Sequence, residues 1–206
     1  RYRMTWDGPQ APRLDGRARN VTRDAEGIWF DFTPGPGAVL IHLDAGNPDQ
    51  PTRNIRILHE RHLELDAAGE RFNPDWIDRI RGVRKIRFMD WMVTNDSTVA
   101  LPADRPRAAH FSWALRGVPL EVMVELANRL GADPWFNIPH LASDDLMREM
   151  ALIVRDGLAP GLRAHVEYSN EVWNWQFEQA QWAEREGVAR WGPGAGRWVQ
   201  YHTLRA

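Results

Sequence analysis

The chain has 206 residues, of which 43% are hydrophobic and 26% are charged, a composition typical of one or two globular domains. Its net charge of −2, with acidic and basic residues interspersed, argues against nucleic acid or an anionic membrane as a partner. The lack of cysteine excludes disulfides and thiolate chemistry, and no apolar run approaches the roughly 20 residues that span a bilayer.

The first 50 residues are predicted to form short antiparallel strands joined by turns. In GIWFDFT (27–33) and AVLIHLDA (38–45), apolar side chains recur at every second position, which is typical of half-buried strands. TPGPG (33–37) predicts the turn between them, and ARNVT (18–22) is a further candidate strand. Such a meander is too short to close its own core, so we predict the C-terminal part of a β-sandwich over residues 1–50.

Beyond residue 51, predicted strands alternate with predicted helices. Pro119 opens an amphipathic stretch that Gly131 ends, and Ser143 is placed to cap the next helix. Strict alternation implies parallel strands joined by crossover helices, and no glycine-rich phosphate turn is present. We therefore predict that residues 51–206 form the N-terminal half, four β/α units, of a (β/α)8 barrel. The predicted strands are 53–58, 85–91, 134–140 and 163–171, and the predicted helices are 73–82, 119–131, 143–157 and 175–187.

Titratable or aromatic side chains stand at the end of each of the four predicted strands. Because the carboxyl ends of barrel strands meet at one face, these side chains are predicted to lie together. Each also has an ordinary explanation, as a surface loop residue, a turn cap or a packed loop histidine. No metal or cofactor motif is indicated. The HExxH motif is not matched at His59, because the residue four positions later is Leu63 and not a histidine. The side chains concerned are His59 and Glu60, Asp90 and Trp91, His140, and Asn170 and Glu171.

Two glutamates share one face of the fourth predicted strand. Alternation over 163–171 places Glu167 and Glu171 on the side facing the barrel axis. A buried Glu167 would be costly without a partner, and Arg87 on the second strand is the candidate. Glu171 would lie in the barrel mouth, partly shielded from water, as a general acid requires.

The segment EYSNE (167–171) resembles the fourth-strand signature of the clan A glycoside hydrolases. In that clan a Glu, two further residues and an Asn-Glu pair close the fourth barrel strand. The order of elements over residues 53–206 agrees, with Arg87 in the second strand and His140 ending the third. The block YSNEVWNWQF (168–177) is also similar to a group of bacterial proteins, often labelled cellulose-binding, that carry a β-sandwich before such a barrel.

This resemblance implies a retaining glycosidase that acts on a β-linked polysaccharide without a cofactor. Glu171 would be the acid/base, and Asn170 would hydrogen-bond the sugar 2-hydroxyl beside the scissile bond. Arg87 and His140 would orient the carboxylates of the site. The other residues expected at the substrate are Asp90, Trp91, Trp173 and Trp175.

The resemblance has departures and leaves alternatives. Many clan members have proline after the acid/base, where this chain has Val172. The clan nucleophile ends the seventh strand, so we expect it outside this chain, which would be a fragment of a secreted or periplasmic protein. The 11 tryptophans equally suit a non-catalytic carbohydrate-binding protein on a degenerate barrel. A structural alternative is that Glu171 caps the fourth helix while the tryptophans pack the barrel rim.

Overall fold

The computed structural model describes residues 1–43 and 46–206, which form two compact units. The N-terminal unit spans Arg1–Asn73 and the C-terminal unit spans Pro74–Ala206. Positions 44 and 45, the end of the predicted strand AVLIHLDA, lie outside the described residues.

The N-terminal unit is built from two antiparallel sheets. Four strands pair in the order β3-β4-β1-β6, and β2 pairs with β5. The core comprises Met4, Ile28 and Phe30, all at most 3% exposed, and Met4 lies directly opposite Ile28 across the β1–β4 pair. The predicted strand 27–33 is thus confirmed as β4. The strands are β1 (Tyr2–Asp7), β2 (Arg13–Gly16), β3 (Arg19–Asp24), β4 (Gly27–Asp31), β5 (Val39–His42) and β6 (Arg53–His59), followed by a 3-10 turn (Glu60–His62) and the short helix α1 (Leu63–Ala67).

The C-terminal unit holds a small parallel sheet and most of the helices. Its three strands pair in the order β7-β8-β9. The two amphipathic helices predicted after Pro119 and Ser143 are confirmed, and their signals act as expected: Gly131 ends α3 at φ 64, and the Ser143 side chain caps Leu146 N–H. The elements are α2 (Pro74–Arg79), β7 (Lys85–Arg87), α3 (Leu120–Leu130), β8 (Asp133–Ile138), α4 (Asp144–Gly157), β9 (His165–Tyr168), α5 (Glu178–Trp191) and α6 (Arg197–Arg205).

The predicted fold, half of a (β/α)8 barrel behind a sandwich remnant, is wrong. The strand assigned to its first β/α unit is β6, which pairs antiparallel with β1 from Tyr2↔His59 to Asp7↔Arg53. This removes one of the four expected units, and the described residues contain one parallel sheet of only three strands. The molecule is therefore a mixed α/β fold in which antiparallel strands predominate. Alternation of strands and helices predicted the element types but could not show which sheet a strand joins.

None of the helices in the described ranges is long and apolar enough to cross a bilayer.

Candidate functional site

The candidate site begins with an ion pair that crosses the parallel sheet. Arg87, the last residue of β7, donates from Nε at 3.2 Å and from Nη2 at 2.8 Å to Glu167 Oε2 on β9. Trp135 on the intervening strand β8 donates its indole N–H to the same oxygen at 3.0 Å, and the guanidinium carbon lies 5.3 Å from the centre of the Trp135 ring. The sequence-based prediction that Arg87 partners Glu167 is thus confirmed.

Asn170 is held by a network of amides just beyond β9. Its Oδ1 accepts from Arg87 Nη2 at 2.8 Å, and its Nδ2 donates to Asn95 Oδ1 at 2.9 Å. Gln179, which is fully buried in the first turn of α5, donates both to Asn95 Oδ1 at 2.7 Å and to the Asn170 carbonyl at 2.9 Å. With only 4% of Asn170 exposed, these bonds fix both the side chain and the main chain at this position.

Glu171 follows on an unusual backbone. The strand ends at Tyr168, and both Ser169 and Glu171 adopt positive φ, 61° and 41°. The expected alternation through residue 171, which placed Glu171 on the same strand face as Glu167, is therefore wrong. A left-handed conformation in a residue other than glycine costs on the order of 1 kcal/mol and is concentrated at functional positions. The expected partial shielding of Glu171 from water is also wrong, because the residue is exposed, and its carboxylate accepts from Asn174 Nδ2 at 3.1 Å.

The three tryptophans predicted at the site have different environments. Trp173 and Trp175, which follow Glu171, are 60% and 51% exposed. Trp91 instead stacks on Trp76 at 6.0 Å between ring centres and also contacts Phe88 at 5.7 Å. Only the first two therefore present large free aromatic faces.

His140 and Asp90 do not join the hydrogen-bond network. His140 is 2% exposed, its ring lies 5.3 Å from that of Trp182, and its carbonyl accepts from the Tyr168 hydroxyl. Neither ring nitrogen has a hydrogen-bond partner among the described residues, and burial lowers the pKa of His140 below its ordinary range. The exposed Asp90 carboxylate likewise forms no hydrogen bond or ion pair with any of the described residues. The predicted orienting role of His140 has no contact to support it.

Sequence reasoning missed the residues that support Asn170. Asn95 lies in a long loop and is 75 positions away from Asn170 along the chain, and Gln179 looks like an ordinary polar residue of a helix. Trp135 was predicted to lie in a strand, but the sequence does not show that its indole N–H donates to Glu167. No spacing rule links these positions, so pattern analysis could not find them. Over the part of the chain that is described, no group of three His, Asp or Glu side chains could hold a metal ion.

Comparison of the chain with protein-family models, with curated proteins and with solved structures gives no match. The resemblance to clan A glycoside hydrolases therefore rests on the motif residues alone, and any function has to be argued from the geometry around Asn170 and Glu171.

Proposed function

We propose that the protein is a glycosidase in which Glu171 is the general acid/base. The observation that carries this proposal is the pairing of a buried, fully anchored Asn170 with an exposed carboxylate on left-handed backbone. Strained backbone of this kind persists where the surrounding contacts hold it in place, and here the Arg87–Asn95–Gln179 network supplies those contacts.

The assigned chemistry is a proton transfer in each of two steps. The protonated Glu171 carboxyl would donate its proton to the glycosidic oxygen as the bond to the sugar breaks. As that bond breaks, the anomeric carbon would bond to a second carboxylate, the nucleophile. The Glu171 carboxylate would then take a proton from the water that displaces the nucleophile and releases the sugar. Asn170 Nδ2 carries a second N–H besides the one donated to Asn95, and we assign it to a sugar hydroxyl.

The substrate we propose is a β-linked polysaccharide or oligosaccharide. Trp173 and Trp175 offer exposed aromatic faces within four residues of Glu171, and such faces pack well against the apolar faces of sugar rings. A polymeric substrate of this class implies that the protein works as a secreted or periplasmic enzyme.

Retention of configuration requires a second carboxyl about 5–5.5 Å from the first. Glu60 and Asp90 are the in-chain candidates, and the clan A arrangement, in which the nucleophile ends the seventh strand, supports neither. We propose that neither is the nucleophile and that this group comes from outside residues 1–206.

The test is reducing-sugar release from β-glucans, xylans and mannans by the natural full-length protein. We expect Glu171→Gln to lower release by about 100-fold or more, the usual contribution of a general acid/base. The matched control is Glu64→Gln, an exposed glutamate of α1, which should leave release unchanged. Wild-type turnover in Glu171→Gln would refute the assignment.

Non-catalytic carbohydrate binding is the second candidate, and the exposure of Trp173 and Trp175 favours it. In that case polysaccharide retards the protein in affinity electrophoresis while no reducing sugar appears. Replacing both tryptophans by alanine would then abolish retardation, whereas Glu171→Gln would bind as the wild type does.

A further inference from the structure

The N-terminal unit contains a polar cavity that the proposed function does not use. Its volume is about 570 Å³, within the roughly 300–1,000 Å³ of ordinary small-molecule sites. Three arginines, Arg1, Arg17 and Arg19, line it, together with the single carboxylate Asp31.

The positive charge in this cavity is not neutralised by the protein. Within residues 1–43 and 46–206, none of the three arginines forms an ion pair with a carboxylate. Asp31, the one acid in the lining, instead accepts from Asn20 Nδ2 at 2.8 Å. The excess of cations is local, because the whole chain has a net charge of −2.

Arg17 is held in place by the turn that follows β4. Its Nη1 donates to the Pro36 carbonyl at 2.9 Å, and its guanidinium carbon lies 5.6 Å from the centre of the Phe32 ring. The turn comes so close that a Cβ on Gly35 would lie 2.6 Å from Arg17 Nη1. The guanidinium is therefore positioned before any ligand arrives, which lowers the entropy lost on binding.

Arg19 is fixed in a similar way. Its Nη1 donates to the carbonyls of Gly16 at 2.7 Å and Ala18 at 3.0 Å. The other guanidinium nitrogens of Arg17 and Arg19 make no hydrogen bond to the described residues, so each fork retains donors for a ligand. Arginine forks match the paired oxygens of carboxylate, sulfate and phosphate groups.

We propose that this cavity binds an acidic sugar unit, a uronate or a sulfated sugar, of a polysaccharide. The arginine forks would hold the anionic group. The Asn20 amide and the Thr33 hydroxyl in the lining would meet sugar hydroxyls, and the Phe32 ring would contact the apolar part of the sugar. A bare inorganic anion would use only the arginines.

The test is calorimetric titration of the full chain with three oligosaccharides of equal length, one carrying carboxylates, one carrying sulfates and one neutral. We expect at least one acidic oligosaccharide to bind more tightly than the neutral one, which can use only the site around Glu171, and the two acidic probes identify the preferred group. Arg17→Ala and Arg19→Ala should each weaken binding about tenfold.

The matched control is Arg13→Ala, which removes the same charge from β2 in the same unit but lies outside the cavity lining. It should change affinity less than about twofold. Equal weakening by Arg13→Ala, equal weakening of neutral-oligosaccharide binding by Arg17→Ala and Arg19→Ala, or equally tight binding of a single-stranded oligonucleotide would overturn the proposal.

Two further variants separate recognition from folding and from the glycosidase site. Arg19→Lys keeps the charge but loses the fork, so we expect intermediate affinity, and unchanged wild-type affinity would contradict recognition by the fork. Glu171→Gln should bind the acidic probe as the wild type does, which keeps failure here distinct from failure of the glycosidase. Unchanged thermal unfolding of every variant shows that the fold is intact.

Discussion

The Arg87 guanidinium reaches over the central strand of the parallel sheet to the Glu167 carboxylate, with Nη2 2.8 Å from Oε2. The same nitrogen donates to Asn170 Oδ1 at 2.8 Å. One cation thus connects the two outer strands of the sheet to the segment that carries Glu171. If Glu171 is the acid/base, its position depends on this arginine.

Replacing Arg87 with alanine should lower the free energy of unfolding by about 1–2 kcal/mol, because Glu167 and Asn170 both lose a charged donor. Urea unfolding measures the loss. Arg155→Ala is the control, since the Arg155–Asp156 pair is exposed, and its loss should change stability far less than the loss of Arg87. Equal losses of stability in Arg87→Ala and Arg155→Ala would show that the Arg87–Glu167 pair contributes no more than an exposed surface pair does.

We predict that the ion-pair cluster around Arg105 loses more stability when its acids are removed than when its cation is removed. Its side chain is only 7% exposed and binds Glu121 and Glu149, which are 51% and 31% exposed. Removing both acids leaves a buried cation without compensation, whereas removing the cation leaves acids that water can reach. We expect the double variant Glu121→Gln/Glu149→Gln to cost about 3 kcal/mol and Arg105→Met about 1 kcal/mol or less.

Chemical denaturation of these two variants beside the wild type tests the asymmetry. The reverse order of stabilities would show that Arg105 contributes mainly through its packing.

His140 predicts how stability depends on pH. Burial lowers the pKa of this histidine in the folded state below the unfolded value of about 6.5, so the unfolded chain binds more protons. The part of the free energy of unfolding that depends on a neutral His140 is therefore fully present above about pH 6.5. It is lost as the pH falls toward the pKa of the folded state. Burial lowers the pKa of His202 as well, so the two histidines act in the same direction.

The check on His140 is the difference in the free energy of unfolding between about pH 7.5 and about pH 5.5. His140→Phe keeps a ring against Trp182 but cannot titrate, so it should reduce this difference. His110→Gln, at an exposed position, should leave it as in the wild type. A wild-type pH dependence in His140→Phe would contradict the prediction.

Several local features could be predicted from sequence because they depend on neighbouring residues. The Ser143 cap, the Gly131 stop and the stripe of α3 are of this kind. The Arg87–Glu167 pair was also predictable, since an acid expected to face inward needs a partner, although the Glu167 side chain is 29% exposed. The pairing of β6 with β1 was not, because contacts between strands some 50 residues apart leave no trace in local periodicity.

The end of β9 was misjudged for a related reason. Polar and apolar residues alternate over HVEY (165–168), and the predicted strand continued this alternation through Glu171, but the strand stops at Tyr168 and the backbone turns left-handed at Ser169. What holds that turn is the Asn95–Gln179 network, which joins distant parts of the chain. The motif therefore offered Asn170 and Glu171 as candidates but gave a wrong path for the chain between Tyr168 and Glu171.

The left-handed backbone at Glu171 leads us to expect that this glutamate lowers the stability of the fold. At φ 41 a glutamate is strained and a glycine is not. Glu171→Gly should therefore match or exceed wild-type stability by up to about 1 kcal/mol, although it loses the hydrogen bond from Asn174. Glu171→Gln keeps the strain and should show no such gain. A loss of more than about 1 kcal/mol in Glu171→Gly would show that the side chain stabilises the fold.

The most direct test of the central claim compares two substrates in Glu171→Ala of the full-length protein. Leaving groups of low pKa need no proton from the enzyme, whereas the alcohol released from a polysaccharide does. We predict a fall of about 100-fold or more on polysaccharide and a much smaller fall in the first turnover of an activated aryl glycoside. Equal losses on both substrates, or no loss on either, would contradict the role of Glu171 as general acid.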